Sequence, residues 1–315
     1  MSEFAFLFPG QGSQSVGMLA ELAERHERVR ATFDEAGDVL GMDLWQLVAE
    51  GPEEELNRTE LTQPAILAAS VAVWRLWNDL GGPRPAQLAG HSLGEYSALV
   101  AAGSLDFEKA IAVVAERGRQ MQAAVPAGRG AMAAVLGLDD EVVEAICREV
   151  AEDQVVAPAN YNSPGQIVIA GDAAAVERAM HKCSEAGARR AVNLPVSVPS
   201  HSALMKPAAK AMADVLADVD IRAPEIPVVH NCDVAEHDEP DDIRAALVAQ
   251  LHSPVRWTES VRKITGSGIM KLAECGPGRV LSGLGRRIER GAQWAPLEQP
   301  GAIEQTIENW RENNT

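Results

Sequence analysis

Ser92 stands at the centre of Gly90-His91-Ser92-Leu93-Gly94, a Gly-x-Ser-x-Gly pattern. A serine hydroxyl becomes a nucleophile when a tight turn exposes it and a neighbouring base takes its proton, so the pattern points to acyl transfer through a serine ester. Alone the pattern is a weak signal: at average Gly and Ser frequencies of about 7%, roughly one chain in ten of ~300 residues carries it by accident. A glycine-lined turn with an N-capping serine is the plain alternative. Context favours the nucleophile, because Pro85 to Gly90 reads as a strand and Leu93 to Ala102 as a helix. In such a nucleophile elbow the N–H following the serine, here that of Leu93, and a second N–H from an early strand-to-helix loop stabilise the oxyanion. Gln11, in the loop Gly10-Gln11-Gly12-Ser13-Gln14, is the candidate for the second donor. That loop also begins like the dinucleotide-binding Gly-x-Gly-x-x-Gly, but Ser15 occupies the third glycine position and Pro9 precedes the turn, which argues against a nicotinamide site.

Seven histidines compete for the role of base. His91 adjoins Ser92, and a neighbour in an extended segment points to the opposite face. His201 lies in the small polar loop Val198-Pro199-Ser200-His201-Ser202, the kind of segment where catalytic side chains gather. A loop histidine bonded to the backbone is the alternative reading. Arg117 carries more information. On a helix capped by Asp106 and running to about Val125, it shares one stripe with Ala110, Val114 and Met121, whereas Arg119 faces the other side. A guanidinium on a buried stripe is costly unless an anion meets it, and that anion is either a protein carboxylate or a substrate carboxylate. The second case makes the acyl group a dicarboxylic half-ester.

The elements around these residues describe an α/β protein. Phe4-Ala5-Phe6-Leu7-Phe8 reads as a buried strand ended by Pro9-Gly10, and Thr62 to Leu80 as a helix ended by Gly81-Gly82-Pro83. From Gly130 to Leu194 the pattern predicts strand 131–136, helix 139–151, strand 154–159, strand 166–170, helix 172–186 and strand 189–194. That βαββαβ order is the ferredoxin-like unit. Helices near 208–217 and 241–251 and strands near Val228 and at 269–273 then resume the α/β pattern. The expected organisation is a discontinuous domain, 1–127 and 198–315, with a mostly parallel sheet, interrupted by a subdomain at 128–197.

Composition limits the partners. The 315 residues are 46% hydrophobic and 23% charged, in the range of folded globular proteins. A net charge of −17 opposes binding to nucleic acid or to an anionic membrane surface. The four cysteines, Cys147, Cys183, Cys232 and Cys275, have no metal-ligand spacing, so reduced thiols, no metal and a cytoplasmic location are expected. The triplet Asn57-Arg58-Thr59 matches the glycosylation pattern but has no secretory leader before it.

With these residues assembled, the chain resembles the malonyl-CoA:acyl carrier protein transacylase family of type II fatty acid synthesis. The resemblance runs through Phe8-Pro9-Gly10-Gln11-Gly12-Ser13-Gln14, Gly90-His91-Ser92-Leu93-Gly94-Glu95-Tyr96, Arg117-Gly118, Gly130-Ala131-Met132-Ala133-Ala134-Val135, Asn162-Ser163-Pro164-Gly165-Gln166, Pro199-Ser200-His201-Ser202, and Gln250 ahead of Pro254-Val255-Arg256-Trp257. It implies an α/β hydrolase-like core with a ferredoxin-like insert. It also implies Ser92 as nucleophile, His201 as base, Arg117 on the malonyl carboxylate, Gln11 and Leu93 as oxyanion donors, and Gln250 orienting His201. The partners implied are malonyl-CoA and acyl carrier protein, with no bound cofactor and a monomeric enzyme. Both partners are anionic, so a local basic patch is expected from Lys182, Arg189, Arg190 and Arg287. A polyketide acyltransferase taking a branched substrate, a thioesterase and a silent carrier-binding scaffold are the competing readings.

Overall fold

The protein is described by a computed structural model covering residues 3–126, 128–196 and 198–312. Ala127 and Ser197, on which the expected domain limits fall, lie outside the described residues. The strands among the described residues are β1 (Ala5–Phe8), β2 (Gln87–Gly90), β3 (Gly130–Leu136), β4 (Val156–Ser163), β5 (Gln166–Asp172), β6 (Arg190–Asn193), β7 (Val228–Val229), β8 (Lys271–Glu274) and β9 (Gln293–Pro296).

Five of them form a parallel sheet in the order β7-β2-β1-β8-β9, with Ala5 opposite Gln87 and Phe8 opposite Gly90. A parallel sheet is covered on both faces, which is why β1 is apolar at every position. Alternate side chains enter different layers: Phe6 and Phe8 join the core beneath helix Thr59–Asp79, and Ala5 and Leu7 join Trp257, Val261 and Ile264 on the other face. Phe6 meets Trp77 edge-on, with ring centroids 4.9 Å apart.

The remaining four strands form an antiparallel sheet in the order β4-β5-β3-β6. With helices Asp140–Val150 and Ala173–Glu185 packed on one face, this is the ferredoxin-like arrangement expected from the βαββαβ pattern. The opposite face presents Met132, Ala159, Val168 and Ala170. Val255 pairs with β4, its N–H donating to Ala159 O at 2.8 Å and its carbonyl accepting from Tyr161 N at 2.9 Å, so the insert is stitched to the larger domain.

Two differences from the sequence expectation matter. Strand β4 extends to Ser163 rather than ending at Ala159, and its pairing shifts register between Pro158 and Asn160 and again between Tyr161 and Ser163. Such bulges re-aim side chains beside functional sites. Helices Glu27–Leu40, Leu44–Glu50, Trp257–Gly266, Val280–Ile288 and Ala302–Glu312 lie outside the sequence expectation.

Helix Phe107–Ala124 begins as expected, with the Asp106 carboxylate accepting from Lys109 N at 3.2 Å. It crosses helix Thr59–Asp79 at Gly118, where a Cβ would lie 2.6 Å from Glu60 Cα. The missing side chain lets the two helices touch, and that contact seats the neighbouring Arg117.

Candidate active site

The C-terminal ends of β1, β2 and β7 converge, the position where parallel sheets offer their loops to ligands. Gln11 follows β1, Ser92 follows β2, and His230 and Asn231 follow β7. Ser92 turns the chain into helix Gly94–Ala101 with φ 51°, a conformation that costs a non-glycine residue roughly 1–3 kcal/mol and persists where surroundings enforce it. Here they do. A Cβ on Gly94 would lie 2.1 Å from Phe8 O, so the helix abuts the end of β1. Ser92 N donates to Asn231 Oδ1 at 2.7 Å, and Ser92 O accepts from Gln250 Nε2 at 3.0 Å. The Ser92 N–H is thereby occupied, and the oxyanion donors must come from elsewhere.

Ser92 Oγ lies 2.8 Å from His201 Nε2, and His201 Nδ1 lies 2.7 Å from the main-chain oxygen of Gln250. A carbonyl only accepts, so Nδ1 carries the proton and Nε2 is free to take one from the serine. His201 is buried and also has positive φ, 60°. Burial, reinforced by the Arg117 charge, pushes its pKa from 6.5 down to about 3, keeping the imidazole neutral near pH 7. His91 bonds Asn162 Oδ1 at 2.8 Å instead of reaching the serine.

Arg117 is 1% exposed. Its guanidinium donates to Gln63 Oε1 at 2.8 Å, to Gln250 Oε1 at 2.9 Å and, at 3.4 Å, to Ser92 Oγ. None of these partners is a carboxylate, so the described residues supply no anion hydrogen-bonded to the guanidinium. Nε has no partner among the described residues, and a guanidinium offers five donors, so capacity remains for an incoming anion.

A cavity of about 170 Å³ joins these groups. Gln11, Ser92, Leu93, Arg117 and His201 line it from the parallel-sheet domain, and Met132, Asn160, Asn162, Val168, Leu194 and Val196 line it from the insert and the segment after it. Leu93 sits at the N-terminus of helix Gly94–Ala101, where backbone dipoles favour negative charge. A second cleft shares Gln11, His91 and Asn162 with the cavity and continues along Val280, Leu281 and Leu284.

Gln250, expected to orient His201, does so through its main-chain oxygen, while its side chain reaches Arg117, Ser92 and Glu95. Sequence reasoning missed Gln63, Glu95, His230 and Asn231, all fully buried. Signals existed: Gln63 immediately precedes the apolar run Pro64 to Ala69, Glu95 is one turn past Ser92, and His230-Asn231 follow a buried strand.

The basic residues divide. Arg190 and Gln166 both stand opposite Leu136, on either side of β3, and Arg287 Nη1 donates to Gln166 Oε1 at 2.6 Å. Arg189 lies against Gly137 at the same end of the sheet. Arg287 stands one turn beyond Leu284, which lines the second cleft, and Gln166 links it to the sheet end that carries Arg189 and Arg190. Lys182 does not join them: it stands on the outer helical layer and pairs with Glu149 at 3.3 Å and Glu185 at 3.8 Å.

Comparison with known proteins places this geometry. The acyl transferase domain profile matches residues 5–285. The malonyl CoA-acyl carrier protein transacylase of Escherichia coli (strain K12) is 55% identical over 308 residues, 98% of this chain and 100% of the relative. The corresponding enzyme of Bacillus subtilis (strain 168) is 46% identical over 100% of this chain and 99% of its own. Among solved structures, the Coxiella burnetii malonyl CoA-acyl carrier protein transacylase superposes with TM-score 0.97 at 50% identity, covering 98% of this chain and 97% of that one. A malonyl-transacylase solved in complex with its type II PKS acyl-carrier protein gives TM-score 0.97 at 56% identity, covering 98% and 100%.

Proposed function

The chain belongs to the acyl transferase domain family, and from that premise we propose that it moves a malonyl group from malonyl-CoA to the phosphopantetheine thiol of an acyl carrier protein. The observation that carries the reading is Arg117, a buried cation with only neutral hydrogen-bond partners, set beside a Ser–His pair. A malonyl thioester supplies both groups the site lacks, an electrophilic carbonyl for Ser92 and a carboxylate for Arg117.

Ser92 Oγ attacks the thioester carbonyl as His201 Nε2 takes its proton. The N–H groups of Leu93 and Gln11 receive the developing oxyanion. Collapse breaks the C–S bond, the proton passes from His201 to the departing CoA sulfur, and a malonyl ester of Ser92 is left. The carrier thiol then attacks that ester, giving its proton to His201, and the serine is released with its proton restored. Neither a metal nor a bound cofactor has a step to perform. The product serves chain elongation in fatty acid synthesis, and the likeness to a transacylase with a type II PKS carrier supports the polyketide route as the second reading.

Arg189, Arg190 and Arg287 receive the anionic partner at the cleft mouth. The charge of −17 supports a protein that binds neither nucleic acid nor membrane, and four unpaired cysteines support a cytoplasmic setting. No helix among the described residues is long and apolar enough to cross a membrane.

The test is intact-protein mass spectrometry of wild type, S92A and R117A mixed with malonyl-CoA or acetyl-CoA, followed by holo acyl carrier protein. A malonyl adduct that requires Ser92, weakens without Arg117 and passes to the carrier is expected. An adduct discharged only to water would indicate a hydrolase, and none at all a silent scaffold.

A further inference from the structure

Behind the cavity lies a buried polar cluster that touches neither acyl group nor thiol. Glu95 is fully buried, and its carboxylate accepts three hydrogen bonds: from His230 Nδ1 at 2.7 Å, Asn231 N at 3.0 Å and Gln250 Nε2 at 2.9 Å. Burial opposes a charged His230, but the Glu95 carboxylate, by charge and hydrogen bond, raises its pKa above the usual value.

Each partner continues toward the reacting groups. Asn231 accepts from Ser92 N and donates to Gly90 O at 2.7 Å, holding the elbow backbone. Gln250 spans Glu95, Ser92 O and Arg117 with one side chain. The direction of the Gln250 amide is what matters chemically. A carboxylate can only accept, so it holds the amide nitrogen toward itself and leaves the amide oxygen facing Arg117. An uncharged amide at position 95 weakens that bias, leaving the main-chain oxygen of Ser92 as the one acceptor-only group on the Gln250 amide nitrogen. Gln250 can then turn its NH₂ toward the guanidinium, donor against donor, and Arg117 keeps the Gln63 acceptor on Nη1 but loses the Gln250 acceptor that aims Nη2.

We propose that Glu95 is a positioning residue that sets the malonyl preference of this enzyme by orienting Gln250 and, through it, Arg117. The carboxylate stands outside ion-pair distance of Arg117, so it directs the cation without consuming the charge meant for the substrate. A carboxylate placed directly on Arg117 would instead compete with malonate. This inference rests on the functional reading above.

The experiment measures Ser92 acylation rates with malonyl-CoA and with acetyl-CoA by quenched-flow mass spectrometry, alongside thermal melting. Wild type and R117A test the functional reading itself: if malonyl labelling does not depend on Arg117, that reading fails whatever Glu95 does. Given that dependence, E95Q is expected to lower malonyl acylation by about 10- to 100-fold, the usual effect of misplacing a substrate-orienting group. Acetyl acylation falls less, so the malonyl:acetyl ratio moves toward that of R117A. The ratio in E95Q/R117A equals that in R117A alone, and E95D recovers part of the wild-type ratio. Equal slowing of both substrates by E95Q, or a further fall of the ratio in the double variant, overturns the proposal. If E95Q does not fold, H230Q withdraws one of the three donors from the same carboxylate: a lowered ratio supports the relay and an unchanged one overturns it.

Discussion

The two sheets face each other across one cavity and handle polar groups in opposite ways. On the parallel-sheet side Ser92, His201, Arg117, Gln250, Glu95 and Asn231 are tied into a buried hydrogen-bonded network at the strand ends. Opposite them the insert offers Met132, Val168 and, just beyond β6, Leu194 and Val196, with Asn160 and Asn162 delivered by the bulged strand β4. On the first side each member is hydrogen-bonded to the next, which holds the groups in place. The other side makes few directed bonds and shapes the space. Chemistry and access are thus assigned to different folds, and mutations on the two sides should fail differently.

The sharpest test of that division is S92A, which should abolish the acyl adduct and lower transfer by more than about 10³-fold in a carrier-loading assay, as loss of a serine nucleophile does elsewhere. Next, R117A should slow malonyl acylation by a factor of roughly 10–150, the equivalent of about 1.5–3 kcal/mol for a charged hydrogen-bonded pair, with acetyl acylation slowed less. Gly118→Ala places a Cβ against Glu60, so calorimetry should show a loss of about 1–3 kcal/mol of stability from overpacking, together with a raised malonyl KM because Arg117 is displaced. On the insert side, Arg189→Glu with Arg190→Glu should raise carrier KM several-fold in a salt-dependent way and leave the acetyl-CoA acylation rate at saturation unchanged; a fall in that rate would break the division.

The smallest expected effect concerns pH. Because His201 is held neutral down to about pH 3, acylation by acetyl-CoA should show no acid limb near 6.5. The same depression acts on stability. Above pH 6.5 His201 is neutral whether the chain is folded or not, and below it only the unfolded chain takes the proton. Folding stability should therefore decline as pH falls from 6.5 toward 3, measured as the denaturation midpoint of wild type against H201Q.

Much of this was readable from the chain. Asp106 as a cap, the βαββαβ order and the apolar stripe bearing Arg117 each follow from short-range spacing, and each stands where expected. The elbow too is local, since Gly94 must lack a side chain for the helix to meet β1. Spacing could not show which histidine meets Ser92, because His201 is 109 residues away and only the fold closes that gap. Nor could it show that Gln63, 54 residues from Arg117, would stand where a carboxylate was equally plausible. The same limit hid Glu95: it lies one turn past Ser92, but its partners come from the segment after β7 and from helix Pro240–Gln250.

The 3.4 Å separation between Arg117 and Ser92 Oγ bears on the enzyme at rest. Burial first, and the guanidinium charge second, lower the pKa of His201. A carboxylate entering the cavity would offset the second of these causes and leave the first, so the cation beside the serine would be neutralised while burial goes on holding the imidazole uncharged.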